Sequence, residues 1–233
     1  ITFQPSELVK IVLVLAGAAT LDRLFAKRNL IFTILFSAYC VGCLALMSDF
    51  GTALIFFVAF LCIAFLRTGD LPSIVMITAA AGFAGGIVLR FKPYVLARFA
   101  VWRHAWEYAQ EEGYQQTRTM SAVASGGLFG AGPEEAWLKY VGAANTDLVF
   151  GVVSEEFGLL LALCAAAAVI LLGIYALRAA GRSRSSFYAI AACATAAMLV
   201  FQTTLNVLGS VDLLPLTGVT FPFVSMGGSS MLS

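Results

Sequence analysis

The sequence predicts an all-α fold: a polytopic integral membrane helix bundle interrupted by one long polar loop. Three observations carry this. Hydrophobic residues make up 61% of the 233-residue chain and charged ones only 12%, at a mean hydropathy of +0.92; soluble domains average about 45–50% and about 25%. The apolar residues fall in runs near the roughly 20 that a helix needs to cross ~30 Å of hydrocarbon. Between 90 and 147 the pattern gives way to a more polar stretch holding Trp102, Trp106, Tyr108, Tyr114, Trp137 and Tyr140, whose amphipathic rings favour the headgroup zone.

Taken in order, the first span is expected over 5–21. It carries Glu7 and Lys10, three apart and so on one helix face, either as a self-neutralising ion pair or as a cavity lining. The second, 30–47, holds the Cys40/Cys43 pair. A CxxC is a redox or metal cue, but this one sits mid-membrane with no second pair nearby and the lone His104 far away, so all five cysteines read as small helix residues. The turn 48-SDFG-51 leads to a third span over 50–66, and a fourth follows over 71–89. The loop 90–147 then brings interfacial helices and the glycine-rich segment 125-SGGLFGAGP-133. That segment lacks the GK[ST] ending of a phosphate loop, but its glycines permit a close approach to a ligand.

Asn145, Thr146 and Asp147 are helix-capping types placed directly before the fifth span, 148–177. Asp147 is therefore either a cap or a general base at a cavity rim. Glu155 and Glu156, two turns deeper, are expected to pair with cations of neighbouring helices. The sixth span, 187–209, places Gln202 and Asn206 on one face, as suits interhelical hydrogen bonding. A seventh begins near Met226 and is cut off, so the chain reads as one membrane domain, 1–233, of a longer protein.

Charge fixes the expected sidedness. The loops 22–29, 67–70 and 178–186 hold seven Lys/Arg against two acids and fall on one side, which the positive-inside rule makes cytoplasmic. The loop 90–147 then faces outward, with Arg98, Arg103, Arg118 and Lys139 flanking its glycines as candidate partners for an anionic headgroup, and Ser125 beside them. A net charge of +1 gives no support for a nucleic-acid partner.

Five motifs occur in a telling order: 3-FQPSELVK-10, 49-DFGTALIF-56, 114-YQQTRTMSAVASGGLFGAG-132, 145-NTDLVFGVVSEEFG-158 and 214-LPLTGVTFPFVSMGGSS-230. Together they resemble the RodA/FtsW family of shape, elongation, division and sporulation proteins. The resemblance implies a ten-helix membrane fold, of which this chain covers the fourth to the ninth helix and the start of the tenth. It implies a peptidoglycan glycosyltransferase that polymerises lipid II at the outer face of the bacterial cytoplasmic membrane, beside a class B penicillin-binding protein that crosslinks the product. The family's aspartate at the start of its eighth helix falls on Asp147, its Pro-Ser-Glu glutamate and lysine on Glu7 and Lys10, and its Pro-Asp-Leu-Gly-Thr aspartate on Asp49. The chain departs from the pattern at Asn145 (commonly His), Ser48 (Pro), Met226 (Tyr) and Arg118 (often Gln).

On that reading Asp147 is the base, and Glu7, Lys10, Asp49, Arg118, Ser125 and Lys139 bind substrate or line its cavity. Loop cations stabilise the leaving pyrophosphate, with a divalent cation, Mg or Mn, as a candidate helper. The alternatives are a lipid II flippase and a non-catalytic membrane scaffold for a penicillin-binding protein. The outer-rim position of Asp147 argues against transport, whose sites usually lie near the midplane.

Overall fold

The computed structural model describes residues 5–22, 27–46, 49–91 and 93–226. Among them every regular element is helical: α1 (Pro5–Asp22), α2 (Lys27–Leu46), α3 (Phe50–Thr68), α4 (Leu71–Phe91), α5 (Pro93–Val101), α6 (Tyr114–Gly126), a 3-10 turn (Leu138–Tyr140), α7 (Val149–Phe157), α8 (Leu159–Ala180) and α9 (Ser186–Ser210). The α1–α4 and α9 spans fall within a few residues of those expected. The run expected after Met226 lies outside the described residues. Three helices, α3, α8 and α9, are long and apolar enough to cross a membrane among the described residues. The protein is an integral membrane protein, and its outward-facing leucines, such as Leu160, Leu171 and Leu177 on α8, meet lipid at no hydrophobic cost.

The chain divides into two compact units. One comprises 4–93 and 172–201. Its α3 buries Gly51, Ala53, Ile55, Phe56, Ala59 and Ile63, and small residues on such a face let helix backbones come close. At Gly17 of α1 a Cβ would lie 2.8 Å from the Ile63 side chain, and at Gly173 of α8 it would lie 2.7 Å from Val200 of α9. Asp49 starts α3 as its N-cap, accepting the Thr52 N–H at 3.2 Å. Gly69 ends that helix in the left-handed region at φ 63°, its N–H on the Phe65 carbonyl. The cysteines are free thiols, Cys40 and Cys193 buried and Cys164 on an exposed face of α8.

The second unit comprises 94–171 and 202–232, and holds α5, α6, the 3-10 turn, α7, the start of α8 and the end of α9. Here one expectation fails. The helix foreseen over 148–177 is broken at Gly158, whose φ is 93°. A Cβ at Gly158 would lie 2.6 Å from the Phe129 backbone. The glycine-rich segment, itself short of Cβ atoms, lies against the α7–α8 junction and forces the break.

Glu7 and Lys10 form an ion pair at 2.6 Å, both side chains buried. Removing one partner leaves the other charge buried without it, which typically costs about 3–5 kcal/mol. Glu7→Ala and Lys10→Ala are each expected to lower folded yield in detergent, and the double variant to lose less than their sum. A strictly additive cycle would show that the two charges do not support each other.

Candidate functional site

Asp147 sits in the turn that precedes α7. The helix begins at Val149, and Leu148 at its N-cap position makes no side-chain cap bond. The turn is built on Ala143, which has φ 63° and whose carbonyl receives the N–H groups of Thr146, Asp147 and Leu148 at 3.2, 2.9 and 3.3 Å. A non-glycine residue held in that region is uncommon, and such residues persist where surrounding contacts over-determine them.

Those contacts come from α9 and the segment after it. Asn206 Nδ2 donates to the Asp147 carbonyl at 2.8 Å and to the Val219 carbonyl at 2.7 Å. Gln202 Nε2 donates to the Thr220 carbonyl at 2.8 Å and its hydroxyl at 3.0 Å. Ser225 Oγ donates to the Thr146 carbonyl at 2.6 Å and accepts the Phe221 N–H at 2.8 Å. The Met226 N–H donates to the Asn145 carbonyl at 2.8 Å. Gln202 and Asn206 share a face, as their spacing requires, and both donate to the segment after α9.

The 211–226 segment also brings Gly218 to the Asp147 carboxylate. A Cβ there would lie 3.3 Å from Asp147 Oδ2 and 3.9 Å from Arg98 Nη1, and Gly218 has φ 70°. An acid and a guanidinium thus border one small space that only a glycine leaves open. Arg98, on α5, is oriented by its donation to the Leu216 carbonyl at 2.8 Å. It also lines a cavity of about 140 Å³ with Glu112, Gln115, Gln116 and Leu216. Trp102 Nε1 donates to the Leu213 carbonyl, while the Arg103 N–H and Gln116 Nε2 both donate to Asp212 Oδ1, at 3.1 and 3.0 Å.

The remaining expected site residues divide between the units. Arg118, Ser125 and Lys139 share the unit of Asp147, while Glu7, Lys10 and Asp49 belong to the other. Arg118 is exposed on α6, its guanidinium 5.2 Å from the Tyr114 ring centre and 5.8 Å from that of Trp137, a placement that attracts the cation to both rings. Lys139 Nζ donates to the Pro133 carbonyl at 2.5 Å. Ser125 is exposed and turns its hydroxyl back to the Ala122 carbonyl. Among the described residues no three His, Cys, Asp or Glu side chains gather as a metal site. Asp147 beside a guanidinium is a poor donor set for a divalent cation, so no step is assigned to one.

Glu155 and Glu156, expected to pair with cations of neighbouring helices, do not, and Glu155 has another role. It is 1% exposed, and no cation pairs with it or with Glu156 among the described residues. Its two carboxylate oxygens accept the N–H groups of Trp137 and Leu138 at 3.1 and 2.9 Å, capping the 3-10 turn from across space. Gly151, Val152 and Glu155 lie on one buried face of α7, in register with Leu148 just before it, and that spacing is the available signal. Two of the segment's glycines, Gly126 and Gly130, are likewise explained by protein contacts. A Cβ at Gly126 would lie 2.6 Å from Glu155 Cα, and one at Gly130 would lie 2.7 Å from Glu156 C.

Over residues 1–233 the chain matches the FtsW/RodA/SpoVE family model, described as "Cell cycle protein". It is 31% identical to the "Probable peptidoglycan glycosyltransferase FtsW" of Coxiella burnetii, covering 100% of this chain and 65% of that one. It is 29% identical to the "Probable peptidoglycan glycosyltransferase FtsW" of Bacillus subtilis (99% and 61%) and 31% identical to the "Peptidoglycan glycosyltransferase RodA" of Mycobacterium leprae (100% and 53%). The chain therefore spans between about half and two thirds of these relatives. A chain of a solved structure, "Structural coordination of polymerization and crosslinking by a peptidoglycan synthase complex", aligns with a TM-score of 0.75 at 25% identity, over 100% of this chain and 66% of that one.

The cap on the 3-10 turn yields a direct expectation. Glu155→Gln keeps the size but sets an NH₂ group against one of the two backbone donors, at a cost of about 1–3 kcal/mol for a buried donor left unsatisfied. Thermal unfolding in detergent should show a clear loss of stability for Glu155→Gln and little change for Glu156→Gln. Equal stability of the two variants would mean that the carboxylate does not hold the turn.

Proposed function

Because the chain belongs to the FtsW/RodA/SpoVE family of cell cycle proteins, we propose that it acts as a peptidoglycan glycosyltransferase with Asp147 as its general base. The substrate is lipid II, and the active site faces the outer side of the bacterial cytoplasmic membrane, next to a class B penicillin-binding protein. The observation that carries this reading is the Asp147 carboxylate: it sits on a turn held by Asn206 and Ser225 and borders, with Arg98, the space at Gly218. A base must stand in fixed geometry toward the proton it removes, and this turn is tied down on three consecutive carbonyls.

The chemistry follows. Asp147 takes the proton of the acceptor's 4-hydroxyl as that oxygen attacks the donor's anomeric carbon. The bond from that carbon to the pyrophosphate oxygen breaks, undecaprenyl pyrophosphate leaves with the bonding electrons, and the centre inverts. Arg118 and Lys139 offer positive charge to the departing pyrophosphate, where preorganised charge lowers the barrier. Arg98, tied to the Leu216 carbonyl, orients the Asp147 carboxylate.

Asp147→Asn tests the base while keeping the side chain's size. Polymer yield from purified lipid II in detergent, with the penicillin-binding partner present and transpeptidation blocked, should fall by about 10²–10⁴ with partner binding intact. Detergent removes the two compartments a flippase needs, so polymer from the unsubstituted protein excludes both a flippase and a scaffold. Near-normal polymer from Asp147→Asn would remove the assigned base.

A further inference from the structure

The glycine-rich segment is closed onto the junction of α7 and α8 by backbone hydrogen bonds. The N–H groups of Gly130, Ala131 and Gly132 donate to the carbonyls of Gly126, Glu155 and Glu156 at 2.8, 2.8 and 3.2 Å. In return the carbonyls of Gly127 and Leu128 accept the first N–H groups of α8, from Leu159 and Leu160, at 3.0 and 3.3 Å. Polar backbone can lie at membrane depth only where such groups are satisfied within the protein, and here the N–H groups of Gly130, Ala131 and Gly132 and the carbonyls of Gly127, Leu128 and Gly132 are paired in this way. The side chains point the other way. Leu128 is 61% and Phe129 84% exposed, and no charged residue occurs from Thr119 to Pro133.

From this we infer that the 127–132 loop is embedded in the bilayer, with Leu128 and Phe129 among the lipid acyl chains at the depth of the first turn of α8. The occupant of this apolar face is set by continuity. Because α8 is a membrane span, its exposed first-turn residues Leu160 and Leu161 face lipid. The loop is bonded to the backbone of that same turn, so it cannot leave that depth without breaking those bonds. Gly126 and Gly130 therefore do more than fit the α7–α8 junction: they let a non-helical segment bond its backbone to that junction while its large side chains, Leu128 and Phe129, are apolar and exposed. The loop also fixes the level of α6, where Tyr114 and Arg118 follow the headgroup preference of aromatic and cationic side chains.

Site-directed spin labelling tests this in the full-length, cysteine-free protein reconstituted into phosphatidylethanolamine–phosphatidylglycerol vesicles. A nitroxide at Phe129→Cys should collide with oxygen in preference to the water-soluble nickel chelate NiEDDA. Its oxygen-to-nickel balance should match that of Leu161→Cys on α8 and stand several-fold above that of Glu134→Cys. A balance like that of Glu134→Cys would place the loop in water and overturn the inference. Protection from both reagents would overturn it too, since protein and not lipid would then cover the face. Leu128→Cys, read in the same way, decides the matter if Phe129→Cys does not fold.

Discussion

The carboxamide of Asn206 is the constraint on which the site depends. From a buried position on α9 it donates to the carbonyls of Asp147 and Val219, segments 59 and 13 residues away in the chain. One side chain thereby fixes both the turn that carries the acid and the strap that passes over it. The energy need not be large, since polar contacts within membrane bundles average well under 2 kcal/mol. The geometric effect is what matters. With Ser225 and the Met226 N–H bound to the neighbouring carbonyls, the backbone that carries the carboxylate is held at three successive residues.

A second polar anchor works on the other side of α7. Glu155 spends its whole carboxylate on two backbone N–H groups, and so fixes the 3-10 turn bearing Lys139 and the Trp137 ring near Arg118. Charge-assisted bonds of this kind are about twice as strong as neutral ones. The helix between the two anchors is only nine residues long, because the glycine-rich segment ends it at Gly158. A short helix clamped at both ends ties the placement of Asp147 to that of the loop cations.

Much of this was legible in the sequence. The spans were, because some 20 apolar residues have few alternatives to a membrane helix. The shared face of Gln202 and Asn206 and the pairing of Glu7 with Lys10 followed from helical spacing alone. The break at Gly158 did not, because apolar residues continue on both sides and a lone glycine is tolerated inside a helix. The partner of Glu155 was out of reach for a different reason: the sequence shows an acid on an apolar face, but its partners are backbone groups 17 and 18 residues earlier, which carry no residue-type signature. Of the segment's glycines, Gly126 and Gly130 make room for α7, a packing role that the sequence pattern does not show. The turn around Asp147 was not legible either: the three capping types before the span suggest a helix start, but not that Ala143 gathers three N–H groups at a positive φ.

On the proposed function, Asn206 serves the reaction by holding Asp147. The measurement that reaches it most directly is a double-mutant cycle on polymerisation rate, with Asn206→Ala and Asp147→Asn made singly and together in the partner-bound protein. If Asn206 acts only through Asp147, its removal slows the unsubstituted protein but costs nothing further once the acid is gone. Losses that add in full would show that Asn206 acts independently of Asp147 and does not serve as its anchor.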